Sequence, residues 1–182
     1  MKRLLIVLAA ILVLLAGTAF AYRPGIIAIY SDEGATNCNF VDDGGLVQVF
    51  IFHLFHDGAT LSEFMLDVSL TEWTYLGESH ALPLVIGTFV TGISISYQTC
   101  LLPPTYLGFA SFFGSTIPTC TSIGIVPDPT GIVDEIVVVD CQKGGYYATG
   151  RGGVVNPDPS CMCSPPVPVE QTSWGQIKAL YR

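Results

Sequence analysis

"LPLVIGTFVTGISISYQTC", residues 82–100, decides the fold. Past Gly92, Ile93, Ile95 and Tyr97 alternate with Ser94, Ser96 and Gln98. Successive side chains of an extended chain point to opposite faces, so this pattern is a strand with one buried and one solvated side. The β-branched run ahead of Gly92 predicts a second strand, with the break between the two near that glycine. No helical period of useful length occurs anywhere before residue 170, and the alternation therefore sets the class as all-β.

The same signals recur outward from this stretch. Upstream, "PGIIAIYSD" begins a first strand, "LVQVFIFHLFH" at 46–56 is the longest apolar one, and "TLSEFMLDVSL" alternates enough to have a wet face. "TEWTYLG" is either a short strand or an irregular crossing. Downstream, "TYLGFASFFG", "VDEIVVVDC" and a hairpin-like pair within "GGYYATGRGGVVNPDPS" complete a series of about nine or ten strands at roughly ten-residue spacing. Short strands with many glycine and proline turns predict an antiparallel β-sandwich, Ig-like or jelly-roll, with a closed small barrel as the alternative.

The first 21 residues combine basic Lys2 and Arg3, an apolar run from Leu4 to Ala16, and an Ala19-Phe20-Ala21 cleavage pattern. They read as a secretory signal peptide, too short in its apolar run for a membrane span. Cleavage would remove two of seven basic residues and leave five against fifteen acidic ones, net −10. That charge speaks against nucleic acid and anionic membranes as partners, and no membrane insertion is expected once the leader is gone. The expected organisation is a leader at 1–21, a β-sandwich domain at 22–163, and a Pro-rich linker with an amphipathic tail at 164–182.

All six cysteines, Cys38, Cys100, Cys120, Cys141, Cys161 and Cys163, follow the leader, and an even count in an exported chain reads as a disulfide framework. Cys161 and Cys163 are too close to pair with each other and should tie to two different places. The pairing expected is Cys100 with Cys120 and Cys141 with Cys161 or Cys163, leaving the other for Cys38. A zinc site is disfavoured, because the C-x-C pair has no second pair at ribbon or finger spacing.

Chemistry-bearing residues are sparse. His53 and His56 stand three apart, which on a strand puts them on opposite faces and denies them a shared ion. His80 is expected in a loop. The acidic pairs Asp32-Glu33, Asp42-Asp43 and Asp134-Glu135 lack a calcium-loop pattern and read as solvated charge. There is no nucleophile elbow or phosphate-cradling glycine loop, and no carboxylate pair stands out for glycoside hydrolysis. No catalytic residue, metal or cofactor is therefore assigned, and an enzyme is not expected. Trp73 and Tyr75 share a face if their segment is extended, and are the candidate ligand-binding platform for a glycan.

The stretch "SPPVPVEQTSWGQIKALYR", residues 164–182, departs from everything before it. Its prolines give a stiff spacer, and Trp174, Ile177, Leu180 and Tyr181 fall at helix-like spacing, predicting a short C-terminal helix that docks on its own domain, the secretion machinery or another protein. "GIIAIYSDEGATNCNF", "IVVVDC", "SCMC" and this tail resemble a group of uncharacterised secreted bacterial β-domain proteins with a Trp-Gly-x-Ile-Lys-x-Leu-Tyr-like ending. The resemblance covers most of the chain after the leader and implies no activity, but suggests that the tail is a shared sorting or attachment device. The sandwich plan is loosely similar to cohesin-type modules. Together these readings describe a secreted, non-enzymatic structural or binding protein of the periplasm, cell envelope or extracellular space with a docking or sorting tail, with a carbohydrate-binding or cohesin-like adhesion module as the alternative.

Overall fold

The computed structural model describes residues 22–166. The leader and the docking residues Trp174, Ile177, Leu180 and Tyr181 lie outside the described residues. Twelve strands follow in order: β1 Ile26–Tyr30, β2 Asn39–Phe40, β3 Leu46–Leu54, β4 Ala59–Asp67, β5 Thr74–His80, β6 Leu84–Thr88, β7 Gly92–Leu101, β8 Thr105–Phe113, β9 Thr121–Val126, β10 Ile136–Asp140, β11 Gly145–Arg151 and β12 Gly153–Val155.

The alternation that set the class governs the packing. Ile93, Ile95 and Tyr97 of β7 are buried, while Ser94 and Ser96 stand on the other side. One layer runs β11-β1-β3-β8-β5, and the facing layer runs β11-β10-β4-β7-β6, with β9, β12 and β2 continuing from the far end of β4. Ile27, Ile29, Val49, Ile51, Leu107 and Phe112 from the first layer interleave with Phe64, Leu66, Ile93, Ile95, Ile136 and Val138 from the second. Each such side chain contributes about 1.5–3 kcal/mol when fully buried, so this interior is the main source of stability.

Two strands turn the corners between layers. β11 pairs with β10 through Gly145–Ala148 and then with β1 through Thr149–Arg151. β4 lies between β7 and β10 over its first half, then pairs with β9 at Met65–Asp67. Strands that change partners partway are how packed sheets close their edges.

Two expectations about the fold are corrected. The described residues contain strands and no helix, so the short C-terminal helix is no part of the described fold. The sheets are mixed rather than purely antiparallel, because β1 pairs with β11 and β2 with β12 in parallel. Only near neighbours joined by a tight turn must be antiparallel, and most of the chain separates the members of these pairs.

The cysteines pair as Cys38–Cys163, Cys100–Cys141 and Cys120–Cys161. The expected Cys100–Cys120 bond and the expected bond from Cys141 to Cys161 or Cys163 are therefore corrected, while Cys161 and Cys163 do tie to different places and Cys38 does take one of them. Strand register explains the pairing. Leu101 of β7 and Asp140 of β10 both lie opposite Ala59 of β4, which brings Cys100 and Cys141 together across the start of that strand. Gly58 lies beneath the bond with φ +112°, and a Cβ there would stand 2.9 Å from the Cys141 sulfur.

Candidate functional site

The serines of β7 mark the outer face of the second layer, and register carries that face across five strands. Ile86, Ser94, Glu63, Val137 and Tyr147 stand in one transverse row over β6, β7, β4, β10 and β11. Leu84, Ser96, Leu61, Val139 and Gly145 form the next. Ten positions thus make two straight rows whose side chains are small, apolar or aromatic, with a single charge, on Glu63. Ile86 is 74% exposed and Tyr147 60%, so the ends of the first row stand in water.

A groove of about 590 Å³ opens at the β10–β11 end, lined by Glu63, Ile132, Val137, Tyr146 and Tyr147 among others. Ile132, in the loop between β9 and β10, is fully exposed above it. Tyr146 leans against Tyr22, with ring centroids 4.3 Å apart, and Tyr147 is left as the free aromatic wall. The Ser94 hydroxyl donates to Glu63 Oε2 at 2.9 Å, and Gly131 lies close over the other carboxylate oxygen, where a side chain would crowd it. Among the described residues, no basic side chain forms an ion pair with Glu63. An apolar groove with one held, unpaired carboxylate suits a partner that brings apolar side chains and a single cation or hydrogen-bond donor.

The structure buries one of the two residues expected to form a sugar platform. Trp73 is 9% exposed, packs on Phe112 at 5.4 Å, and donates its indole N–H to Asp42 Oδ2 at 2.8 Å. Tyr75 also packs on Phe112 and keeps 37% of its surface in water. Its hydroxyl is pushed well above the usual phenol range by burial and by the nearby Glu78. Both rings meet Phe112, but with the Trp73 ring in the interior the pair presents no common stacking surface.

Asp42, read from the sequence as solvated, is buried. Its carboxylate accepts from Trp73 and from the backbone N–H groups of Gly44, Ser115 and Ile117. Burial by itself raises its pKa, but the indole and backbone donors outweigh it and hold the group below the ordinary carboxylate range. This carboxylate is a structural anchor: it fixes the 114–117 loop while Asn156 brackets its backbone.

The histidine pair also departs from expectation. Phe55 takes φ +57°, turning the chain after β3 so that His56 stacks on His53 with centroids 3.9 Å apart. His53 Nε2 donates to the Pro24 carbonyl at 2.6 Å, so Nδ1 accepts from the Tyr97 hydroxyl at 3.0 Å. His56 Nδ1 accepts from the Gly58 N–H at 3.2 Å, which leaves Nε2 to donate to Thr105. All four ring nitrogens are engaged, so shared geometry offers no open metal position. Burial and the neighbouring ring lower His53 to about 3, and burial lowers His56 to about 4, against the opposing charge of Asp57. His80, expected in a loop, ends β5 and pairs with Glu78 at 2.9 Å. Among the described residues, Cys120, Asp158 and Cys161 group at metal-ligand range, but both sulfurs are committed to their disulfide.

No protein-family model matches the chain, and no curated protein matches it. Solved structures with a similar course of chain include cohesin modules. The non-cellulosomal cohesin of the hyperthermophilic archaeon Archaeoglobus fulgidus shares 13% identity over 74% of this chain and 91% of its own, with a TM-score of 0.47. A type I cohesin–dockerin complex from Clostridium thermocellum matches at 12% identity over 74% and 100%, with a TM-score of 0.48. The seventh type I ScaB cohesin of Pseudobacteroides cellulosolvens matches at 13% identity over 81% and 97%, with a TM-score of 0.43. The likeness concerns the course of the chain alone.

Proposed function

We propose that this chain is an exported, non-enzymatic binding module that holds a protein partner on the β6-β7-β4-β10-β11 face, with residues 22–163 as the module and 164–182 as an appended docking or sorting segment. The observation that carries the reading is the pair of transverse rows. Five strands are held in register so that exposed apolar side chains flank a serine stripe and one carboxylate. A contiguous apolar surface costs solubility when open to water, and soluble proteins keep such surfaces where something covers them. The partner implied is a protein surface with an apolar strip and one donor for Glu63. Three disulfides suit an oxidising compartment. Among the described residues no helix is long and apolar enough to cross a membrane.

The test uses wild-type and Ile86→Ser/Tyr147→Ser proteins coupled at equal density and offered the exported fraction of the native host. A partner retained by the wild type and reduced at least tenfold by the double variant, with the melting temperature unchanged, is the expected result. Equal retention by both would overturn the assignment of this face. The Trp73/Tyr75 glycan platform gains no support from the geometry, since its Trp ring lies in the interior.

A further inference from the structure

Residues 174–182, WGQIKALYR, carry Trp174, Ile177, Leu180 and Tyr181 together with Lys178 and Arg182, and no acid. Residues 22–166 carry every acidic side chain except Glu170, fourteen of fifteen, against three basic ones, Arg23, Lys143 and Arg151. We propose that residues 174–182 seat on the open face of their own chain, placing apolar side chains over Val137 and Tyr147 and Lys178 against Glu63, and so compete with the partner. This rests on the partner-binding reading of that face and adds its regulation.

Three observations favour this occupant. The first is chemical fit: the groove needs apolar side chains plus one cation, and this segment has both. The second is reach. Cys163 is fixed to Cys38 beside the outer face of β1 and β3, and ten residues, 164–173, separate it from Trp174. At about 3.3 Å per residue that length spans up to roughly 33 Å, enough to round the edge of two sheets packed about 10 Å apart. The third is the state of the competing surface. The outer side of β1, β3 and β8 is apolar too, but Phe50 and Phe52 there are only 6% and 7% exposed and offer little to a newcomer. Arg23, whose neighbour Tyr22 stacks on Tyr146 at the groove, is already engaged with Asp57 at 2.7 Å.

The experiment is zero-length carbodiimide cross-linking of the full chain, with the linked peptides mapped by mass spectrometry and monomers separated from cross-linked dimers. The expected product is an amide between the Glu63 carboxylate and the Lys178 amine within monomers, formed with loss of the activating group as its urea. Glu63→Gln and Lys178→Arg should each abolish it. Hydroxyl-radical footprinting of the full chain gives the second readout. Tyr147 should be oxidised several-fold faster in Trp174→Ser/Ile177→Ser than in the wild type, with Tyr75 unchanged. The same variant should retain several-fold more partner. Equal Tyr147 oxidation would overturn the proposal, as would a link to Asp32 or Glu33 or one confined to dimers. None of these failures would touch the loss of partner in Ile86→Ser/Tyr147→Ser, so the two readings fall separately.

Discussion

The sandwich has two apolar outer faces, and they have opposite fates. Over β1, β3 and β8, Ala28, Tyr30, Phe50, Phe52 and Leu54 are buried, with Tyr106 and Phe109 packed against them and the Cys38–Cys163 bond at their margin. Over β6, β7, β4, β10 and β11, Ile86, Leu84 and Tyr147 are exposed. Both faces are written in the same alphabet of β-branched and aromatic residues. Composition therefore does not separate a covered face from an open one; what packs over each one does. On the closed face the aromatics interlock, with Tyr30 edge-on to Phe52 at 5.7 Å and Phe52 beside Tyr106 at 5.0 Å. On the open face serines separate the apolar ends and leave no interlocking layer.

The contrast is broken most severely by opening the closed face. Cys38→Ser/Cys163→Ser releases a bond that spans 125 residues. The chain-entropy account gives about 5 kcal/mol for a loop of that length, so thermal melting should show the largest loss here. Phe52→Ala should cost about 3–5 kcal/mol, with denaturant midpoints as the readout. If partner retention by the folded fraction stays at the wild-type level in both, the closed face is structural; a specific loss of retention at unchanged stability would reverse the assignment.

The interior supplies a pH test. His53 and His56 are neutral in the fold down to about 3 and about 4, while in the unfolded chain each takes up a proton near 6.5. The unfolded state therefore binds more protons below about 6.5, and folding stability is full above that pH and falls as pH drops toward 4. Calorimetric melts from pH 7.5 to 4.5 should show this decline. In His56→Gln, compared with its own value at pH 7.5, the decline should be shallower. An identical slope would remove the stacked pair as the cause.

The smallest stability effect belongs to the open face. Ile86→Ser and Tyr147→Ser replace side chains that already stand in water, and each should change folding stability by about 0.5 kcal/mol or less. A loss several times larger would mean that the face contributes to the core, and the contrast between the two faces would fail.

How much of this was legible in the sequence follows from how local each cause is. The alternation of Ile93, Ile95 and Tyr97 needs only the chain's own geometry, and it correctly sets the class and the buried side of β7. The role of Asp42 depends on Trp73, on the 114–117 loop and on Asn156, none of them near it in sequence, so two adjacent aspartates looked like surface charge. The His53–His56 stack turns on one backbone angle at Phe55, which ordinary strand geometry does not anticipate. Disulfide partners and the two transverse rows are set by register between strands far apart in the chain. Leu84 and Tyr147 can be recognised as members of one surface only when β6, β7, β4, β10 and β11 are aligned.

The most direct measurement is a binding isotherm of the retained partner against wild-type and Ile86→Ser/Tyr147→Ser proteins, with a melt of each. The account predicts affinity at least tenfold weaker for the double variant and a melting temperature within about 4 °C of the wild type, the shift that roughly 1 kcal/mol makes in a domain of this size. Unchanged affinity at an unchanged melt would contradict it and move recognition off the open face.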